Sequence, residues 1–162
     1  MGRVVTREEL LRECREARRA GRTIVFTNGC FDILHRGHTD YLARARALGD
    51  ILVVGVNTDE SVRGLKGDSR PIVPEEDRAA VVAALASVDL VCLFAEPTPF
   101  ELIEALVPDV LAKGAGYTRE TIVGADVVEA HGGRVVPLAA LEGRSTRGLI
   151  ARILERGAPG SR

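Results

Sequence analysis

Thr23-Ile24-Val25-Phe26-Thr27-Asn28-Gly29-Cys30-Phe31-Asp32-Ile33-Leu34-His35-Arg36-Gly37-His38 decides the fold. Short, apolar and β-branched, Thr23 to Thr27 reads as a buried strand. A glycine-containing loop comes next, then an amphipathic helix from about Gly37 to Leu48 that stops at Gly49. His35 and His38, three positions apart, fall on one face of the helix start. Strand, glycine loop and helix N-terminus together offer free backbone N–H groups and the positive end of the helix dipole to an anion. The ligand this favours is a polyphosphate.

The strand–helix alternation continues outward. Upstream, Thr6-Arg7-Glu8-Glu9 is a capping box opening a charged helix that runs to about Ala20 and stops at Gly21. Downstream, Ile51 to Val56, Leu90 to Phe94, Val110 to Ala112 and Arg134 to Leu138 read as further buried strands. Between them lie a polar loop from Arg63 to Pro71, a helix from Pro74 to about Ser87 and a helix capped by Thr98-Pro99-Phe100-Glu101. A short helical segment follows between Arg119 and Ala130, and Ser145 caps a terminal helix through about Glu155. Strands that are apolar throughout need cover on both faces. The expectation is α/β, a doubly wound Rossmann-like parallel five-stranded sheet with helices on both faces. One domain spans 1–162, with 1–21 as an N-terminal helical extension and 157–162 as a flexible tail.

Composition excludes several classes. A net charge of −1 lacks the basic excess of a nucleic-acid binder. No apolar run approaches the about 20 residues that cross a bilayer, and the first residues lack a signal-peptide stretch. Three cysteines, Cys14, Cys30 and Cys92, are widely spaced and form no Cys-x-x-Cys pair, so reduced thiols and a cytoplasmic setting are expected.

In doubly wound folds ligands sit at the carboxyl ends of the strands. Residues 28–38, 57–70, 113–117 and 140–146 each follow a strand and should meet there. From spacing alone, His35 and His38 admit three roles. They serve as donors to phosphate, as metal ligands with Asp32 or Cys30, or as a structural pair. Lys66 and Arg70 read either as solvated loop charges or as a flexible basic lid that closes on phosphate. Ser145 and Thr146 open a second helix N-terminus on the same edge. Cys30 has no activating base beside it, so a thiol nucleophile is not expected. His131 reads as a helix C-terminal residue.

Asn28-Gly29-Cys30-Phe31-Asp32-Ile33-Leu34-His35-Arg36-Gly37-His38 resembles the G-x-F-D-x-x-H-x-G-H signature of the cytidylyltransferase-like nucleotidyltransferases. The resemblance continues through Val56 to Val62, Leu65-Lys66-Gly67, Arg70-Pro71-Ile72, Glu76 to Ala80, Leu102 to Leu106, Pro108 to Leu111, Lys113-Gly114 and Glu142 to Thr146. In that order the segments are similar to the adenylyltransferases of ADP-heptose synthesis. The resemblance implies transfer of a nucleoside monophosphate to a sugar 1-phosphate, with pyrophosphate released. It implies that His35, His38 and Lys66 are catalytic. Gly29, Cys30, Phe31, Gly37, Gly143, Arg144, Ser145 and Thr146 would bind the nucleotide, and Asp32, Asn57, Arg70 and Lys113 the substrate. Magnesium would be carried by the triphosphate rather than by protein side chains. A homodimer is expected, as is a separate sugar kinase supplying the 1-phosphate. The remaining readings are a cytidylyltransferase for glycerol 3-phosphate or another polyol phosphate, a non-catalytic nucleotide-binding module, and a metal-dependent hydrolase. Two departures stand out. The family's Lys-Gly-Gly-Asp-Tyr is Lys113-Gly114-Ala115-Gly116-Tyr117 here, and its Ser-Thr-Thr is Ser145-Thr146-Arg147. Loss of the acid at 116 bears on sugar and base selection rather than on phosphate chemistry.

Overall fold

The computed structural model describes residues 2–114, 121–139 and 141–157; Ala115, Gly116, Tyr117 and the tail from 158 lie outside the described residues. The strands are β1 (Arg3–Val4), β2 (Ile24–Gly29), β3 (Ile51–Asn57), β4 (Leu90–Phe94), β5 (Val110–Lys113) and β6 (Arg134–Pro137). The helices are α1 (Arg7–Arg19), α2 (Arg36–Arg46), α3 (Asp59–Lys66), α4 (Glu75–Ala83), α5 (Phe100–Leu106), α6 (Ala125–Ala130) and α7 (Thr146–Gly157). All pairings are parallel, in the order β1-β4-β3-β2-β5-β6. The chain winds from β2 through β3 to β4 on one side, then crosses to β5 and β6 on the other. The order therefore reverses at β2 and β5, where ligands bind in open α/β sheets.

Alternation along β2 explains why it is apolar throughout. Ile24 and Phe26 face one core with Leu10 and Cys14 of α1, Leu102 and Ile103 of α5 and Val128 of α6. Val25 faces the other core with Leu42 of α2 and Ala79 and Val82 of α4. Each face of the sheet is thus dry, and period-2 polarity cannot appear in the sequence.

The doubly wound parallel sheet is as expected, but it has six strands rather than five. The additional strand is β1, whose Arg3 and Val4 pair with Leu90 and Val91. Both of its residues are exposed at the sheet edge, so no apolar pattern marks it. Residues 1–21 accordingly hold a strand as well as a helix, and α1 buries Leu10, Cys14 and Ala17 against the sheet. The capping box at Thr6 and Glu9 is present in both directions.

Three local expectations give way. The segment read as a loop from Arg63 to Pro71 starts as helix, through Lys66: Thr58 caps α3 through Ser61 N–H, Asp59 and Glu60 occupy its first turn, and Gly67 ends it at φ 88°. Lys66 is therefore a helix residue. The capping box at Thr98 is absent; α5 starts after Pro99 with no side-chain cap, and Thr98 Oγ1 accepts only a long 3.4 Å bond from Phe100 N–H. Finally, α4 ends at Ala83, short of Ser87.

Three aspartates satisfy donors at the N-terminal ends of the strands, away from the ligand edge. Asp50 accepts from Thr23 N–H at 2.8 Å, Asp89 from Leu52 N–H at 2.8 Å and Asp109 from Ile24 N–H at 2.7 Å. Asp109→Ala leaves the Ile24 N–H unpaired inside the fold. We expect a loss of about 1–3 kcal/mol in chemical denaturation, with catalytic turnover at the opposite edge unchanged.

Candidate active site

A cleft of about 740 Å³ opens at the C-terminal ends of β2, β3 and β5. It gathers Gly29, Cys30, Phe31, Asp32, His35, Gly37, His38, Asn57, Lys66, Arg70, Lys113, Arg144, Ser145 and Thr146. Of the residues singled out from sequence, Gly143 alone is not on its wall. Gly143 takes φ 69° in the turn before α7, so its contribution is the backbone shape that brings α7 to the cleft. A second depression, about 630 Å³, lies between α1 and the far end of the sheet; its Arg3 and Glu13 pair with each other, and it holds none of these residues.

His35 is the N-cap of α2, and its Nδ1 accepts from Gly37 N–H at 3.1 Å. That bond leaves Nε2 to carry the proton of the neutral ring. His38 stacks on His35 with ring centroids 3.9 Å apart and planes 20° from parallel. Its Nδ1 is buried and unpartnered among the described residues. Burial, and then the charge of His35, push His38 down to about 4. Burial, and then Arg144, lower His35. Both rings are neutral N–H donors near pH 7. The metal-ligand role fails on geometry: the in-plane lone pairs of stacked rings run parallel rather than converging on one ion, and His35 Nδ1 is occupied.

Gly37 is required by close approach. A Cβ there would lie 2.9 Å from His35 Nδ1 and 3.2 Å from Arg144 Cβ. The glycine thus lets the α7 turn close against the histidine helix. Thr146 Oγ1 donates across the same gap to Ile33 O at 3.5 Å, and Ser145 Oγ caps α7 by accepting from Gly148 N–H at 3.1 Å.

Asp32 was expected against substrate, but its side chain has no exposed surface. It accepts from Ile72 N–H and Val73 N–H, each at 2.8 Å, and from Arg70 Nε. Burial pushes this carboxyl up, yet the two backbone donors and Arg70 outweigh it and hold it below the usual range. Asp32 is therefore a positioning group that pins the Arg70 segment, which is an anchored wall rather than a free lid. Asn57 is also structural, its Nδ2 donating to Ser61 Oγ at 3.0 Å while Ser61 Oγ donates to Glu96 O at 3.1 Å. Burial pushes the Cys30 thiol up, more than Lys66, Arg78 and Arg70 pull it down, so it stays protonated.

Lys113 Nζ donates to Asn28 Oδ1 at 2.6 Å on the cleft floor, and burial pushes it down to about 8. With Lys66, Arg70, Arg144 and Arg147, it makes five cationic side chains lining the cleft among the described residues, against the one described carboxylate, that of Asp32. Arg147 was noted in sequence only as a departure. Arg78 entered only within the matching stretch Glu76 to Ala80 and was given no role, since an arginine one turn into a helix has no sequence mark of burial. It is 1% exposed and reaches Val73 O, Cys30 O and Asp59.

The cytidylyltransferase-like family profile matches residues 26–138. Among curated proteins, the bifunctional protein HldE of Syntrophotalea carbinolica is 56% identical over 149 residues, 91% of this chain and 30% of that protein. HldE of Magnetococcus marinus is 58% identical over 133 residues, 82% of this chain and 27% of that protein. The chain thus spans about 30% of the length of these relatives. Among solved structures, a lipopolysaccharide core biosynthesis protein from Thermoplasma volcanium superposes with a TM-score of 0.60 at 29% identity, covering 76% of this chain and 100% of that one. A pantoate–β-alanine ligase from Francisella tularensis shares the fold at TM-score 0.62 and 12% identity, over 90% of this chain and 69% of that one. The profile takes in most of β2, the glycine-containing loop that follows it and the paired histidines, and the chain belongs to the cytidylyltransferase-like family of nucleotidyltransferases.

Proposed function

We propose that this chain transfers AMP from ATP to a sugar 1-phosphate, heptose 1-phosphate, giving ADP-heptose and pyrophosphate. The observation that carries the reading is the pair of neutral, stacked imidazoles set, among the described residues, with five cationic side chains and one enclosed acid. A phosphate oxygen of the acceptor attacks the α-phosphorus in line. The new bond joins that oxygen to the α-phosphorus, and the bond to the bridging oxygen of pyrophosphate breaks. The nucleophile is already an anion, so the step needs no base. It needs two anions held together and the growing charge neutralised. His35 and His38 donate from Nε2 to the α-phosphate oxygens as that charge develops. Lys66 and Arg70, on the α3 side, take the acceptor phosphate. Ser145, Thr146 and Arg144 at the start of α7 take the leaving pyrophosphate.

Magnesium, expected with a triphosphate, enters with it; both oxygens of Asp32 are spent on the Arg70 segment, which supports a metal carried by substrate. Similarity to a lipopolysaccharide core biosynthesis protein supports a sugar acceptor over a polyol. A homodimer, a cytoplasmic setting and a separate kinase as the source of the 1-phosphate belong to the same proposal. No described helix is long and apolar enough to cross a membrane.

A pyrophosphate-release screen of ATP and CTP against heptose 1-phosphate, another sugar 1-phosphate and glycerol 3-phosphate tests the reading. ATP with heptose 1-phosphate should give the highest kcat/KM; preference for CTP with glycerol 3-phosphate would replace it with the polyol alternative. Removing one donor in His38→Ala should cut kcat about 100- to 1000-fold with the circular dichroism unchanged. Lys66→Ala should instead act mainly through the KM of the sugar phosphate. Stability carries a pH signature as well. His38 titrates at about 4 in the fold against an ordinary 6.5, so the unfolded chain takes up the proton first. Its contribution is complete above pH 6.5 and is lost as pH falls toward 4. Denaturation midpoints should drop across that window, and less steeply in His38→Gln.

A further inference from the structure

We infer that Arg78 is a positioning residue that sets the separation between the histidine side and the Lys66 side of the cleft, an inference that rests on the transfer reading above. Arg78 is among the largest fully buried side chains of the described residues. A buried cation is costly unless its N–H groups are satisfied. Here Nε donates to Val73 O at 2.9 Å, Nη1 to Cys30 O at 2.5 Å and Nη2 to Asp59 Oδ1 at 2.7 Å. Each bond goes to a different segment of chain, and each segment leads to a working group.

The Cys30 carbonyl immediately precedes Phe31, whose φ of 48° is a left-handed conformation unusual for a bulky residue. Fixing that carbonyl fixes the turn, and the turn sets the Phe31 ring 5.4 Å from the ring of His38. Val73 is held from its other side by Asp32, which also holds Arg70. Asp59 is the first residue of α3, and Lys66 is its last. Asp59 N–H is itself tied down, donating to Glu75 Oε2 at 2.6 Å. One planar guanidinium therefore spans the donor side and the acceptor side of the proposed reaction. An apolar residue would fill the same space with less desolvation cost but would join none of these segments. Lysine keeps the charge without the rigid fork, so it cannot hold three segments in fixed relation.

In-line transfer depends on the attacking oxygen and the α-phosphorus meeting at a set distance and angle. A misplacement of about 1 Å can cost about 100-fold. The test compares Arg78→Lys, Arg78→Met and Asp59→Asn with Asp109→Ala, the last as a control destabilised away from the cleft. Steady-state kcat and KM are measured at a temperature where circular dichroism shows each variant folded, alongside calorimetric titration with a non-hydrolysable ATP analogue. We expect Arg78→Lys to lose about 100-fold in kcat while the KM for ATP and the analogue affinity stay near wild type. Asp59→Asn, which weakens one of the three anchors, should fall between, and Asp109→Ala should keep wild-type kcat. Wild-type kcat in Arg78→Lys, or an equal kcat loss in Asp109→Ala, overturns the positioning role. If neither Arg78 variant folds, Asp59→Asn decides, and an unchanged kcat there overturns it. Wild-type protein that releases pyrophosphate from no substrate pair overturns the transfer reading and this role with it.

Discussion

The enclosed carboxylate of Asp32 sets the geometry of the whole ligand edge. It sits two residues after Cys30 and three before His35, in the loop that leaves β2. Its oxygens accept from Ile72 N–H, Val73 N–H and Arg70, some 40 residues further on. Two segments distant in sequence are thereby fastened at the mouth of the central strand. Removing one partner of such a pair would leave an uncompensated charge inside the fold, a penalty of about 3–5 kcal/mol. Arg78 makes the complementary fastening with a buried cation, reaching Val73 from the other side. Together they let the cleft carry Lys66, Arg70, Lys113, Arg144 and Arg147 close to one another. Mutually repelling cations stay convergent only when their backbones are held by something else.

Sheet topology brings the remaining parts to the same place. β2 delivers the glycine-containing loop and α2; β5, its neighbour across the reversal in strand order, delivers Lys113. The two helix N-terminal ends, of α2 and α7, meet where Gly37 has no side chain. Arg44 of α2 donates to Ala139 O just after β6, a second tie between the histidine helix and the approach to α7. The cationic edge is thus built from backbone groups, helix ends and long cations, all anchored to strands with dry faces.

Most of the sheet was legible in the sequence, because a parallel strand covered on both faces must be apolar throughout, as Ile24 to Phe26 and Ile51 to Val54 are. β1 was not legible: two residues, both exposed, carry no pattern. α3 was hidden because Gly64 and the charged residues around it resemble a loop, whereas its stability comes from Thr58 as cap and Ser61 and Val62 buried beneath. The histidines and their glycine could be read because their spacing and the adjoining strand are local. Asp32 and Arg78 show their work through partners distant in sequence, Ile72 and Val73 for Asp32 and Cys30 for Arg78, while the tie of Asn57 to Ser61 is local but has no mark in the residue types. A residue type alone does not distinguish an acid that contacts a ligand from one that holds a loop. Gly116, where the family's acid is missing, lies outside the described residues.

The protonation states of the two imidazoles bear on the choice between nucleotidyl transfer and hydrolysis. A water nucleophile must give up a proton, so a hydrolase needs a base with a free lone pair facing the reacting phosphorus. His35 Nδ1 is taken by Gly37 N–H, and His38 Nδ1 is buried. The thiol of Cys30 is held protonated, and Asp32 is enclosed among its own donors. Lys113, pushed down to about 8, is still chiefly a cation at neutral pH and is occupied by Asn28. Among the described residues lining the cleft, five cationic side chains stand against the one enclosed carboxylate. A phosphate acceptor, as proposed above, arrives ionised and calls for no such base.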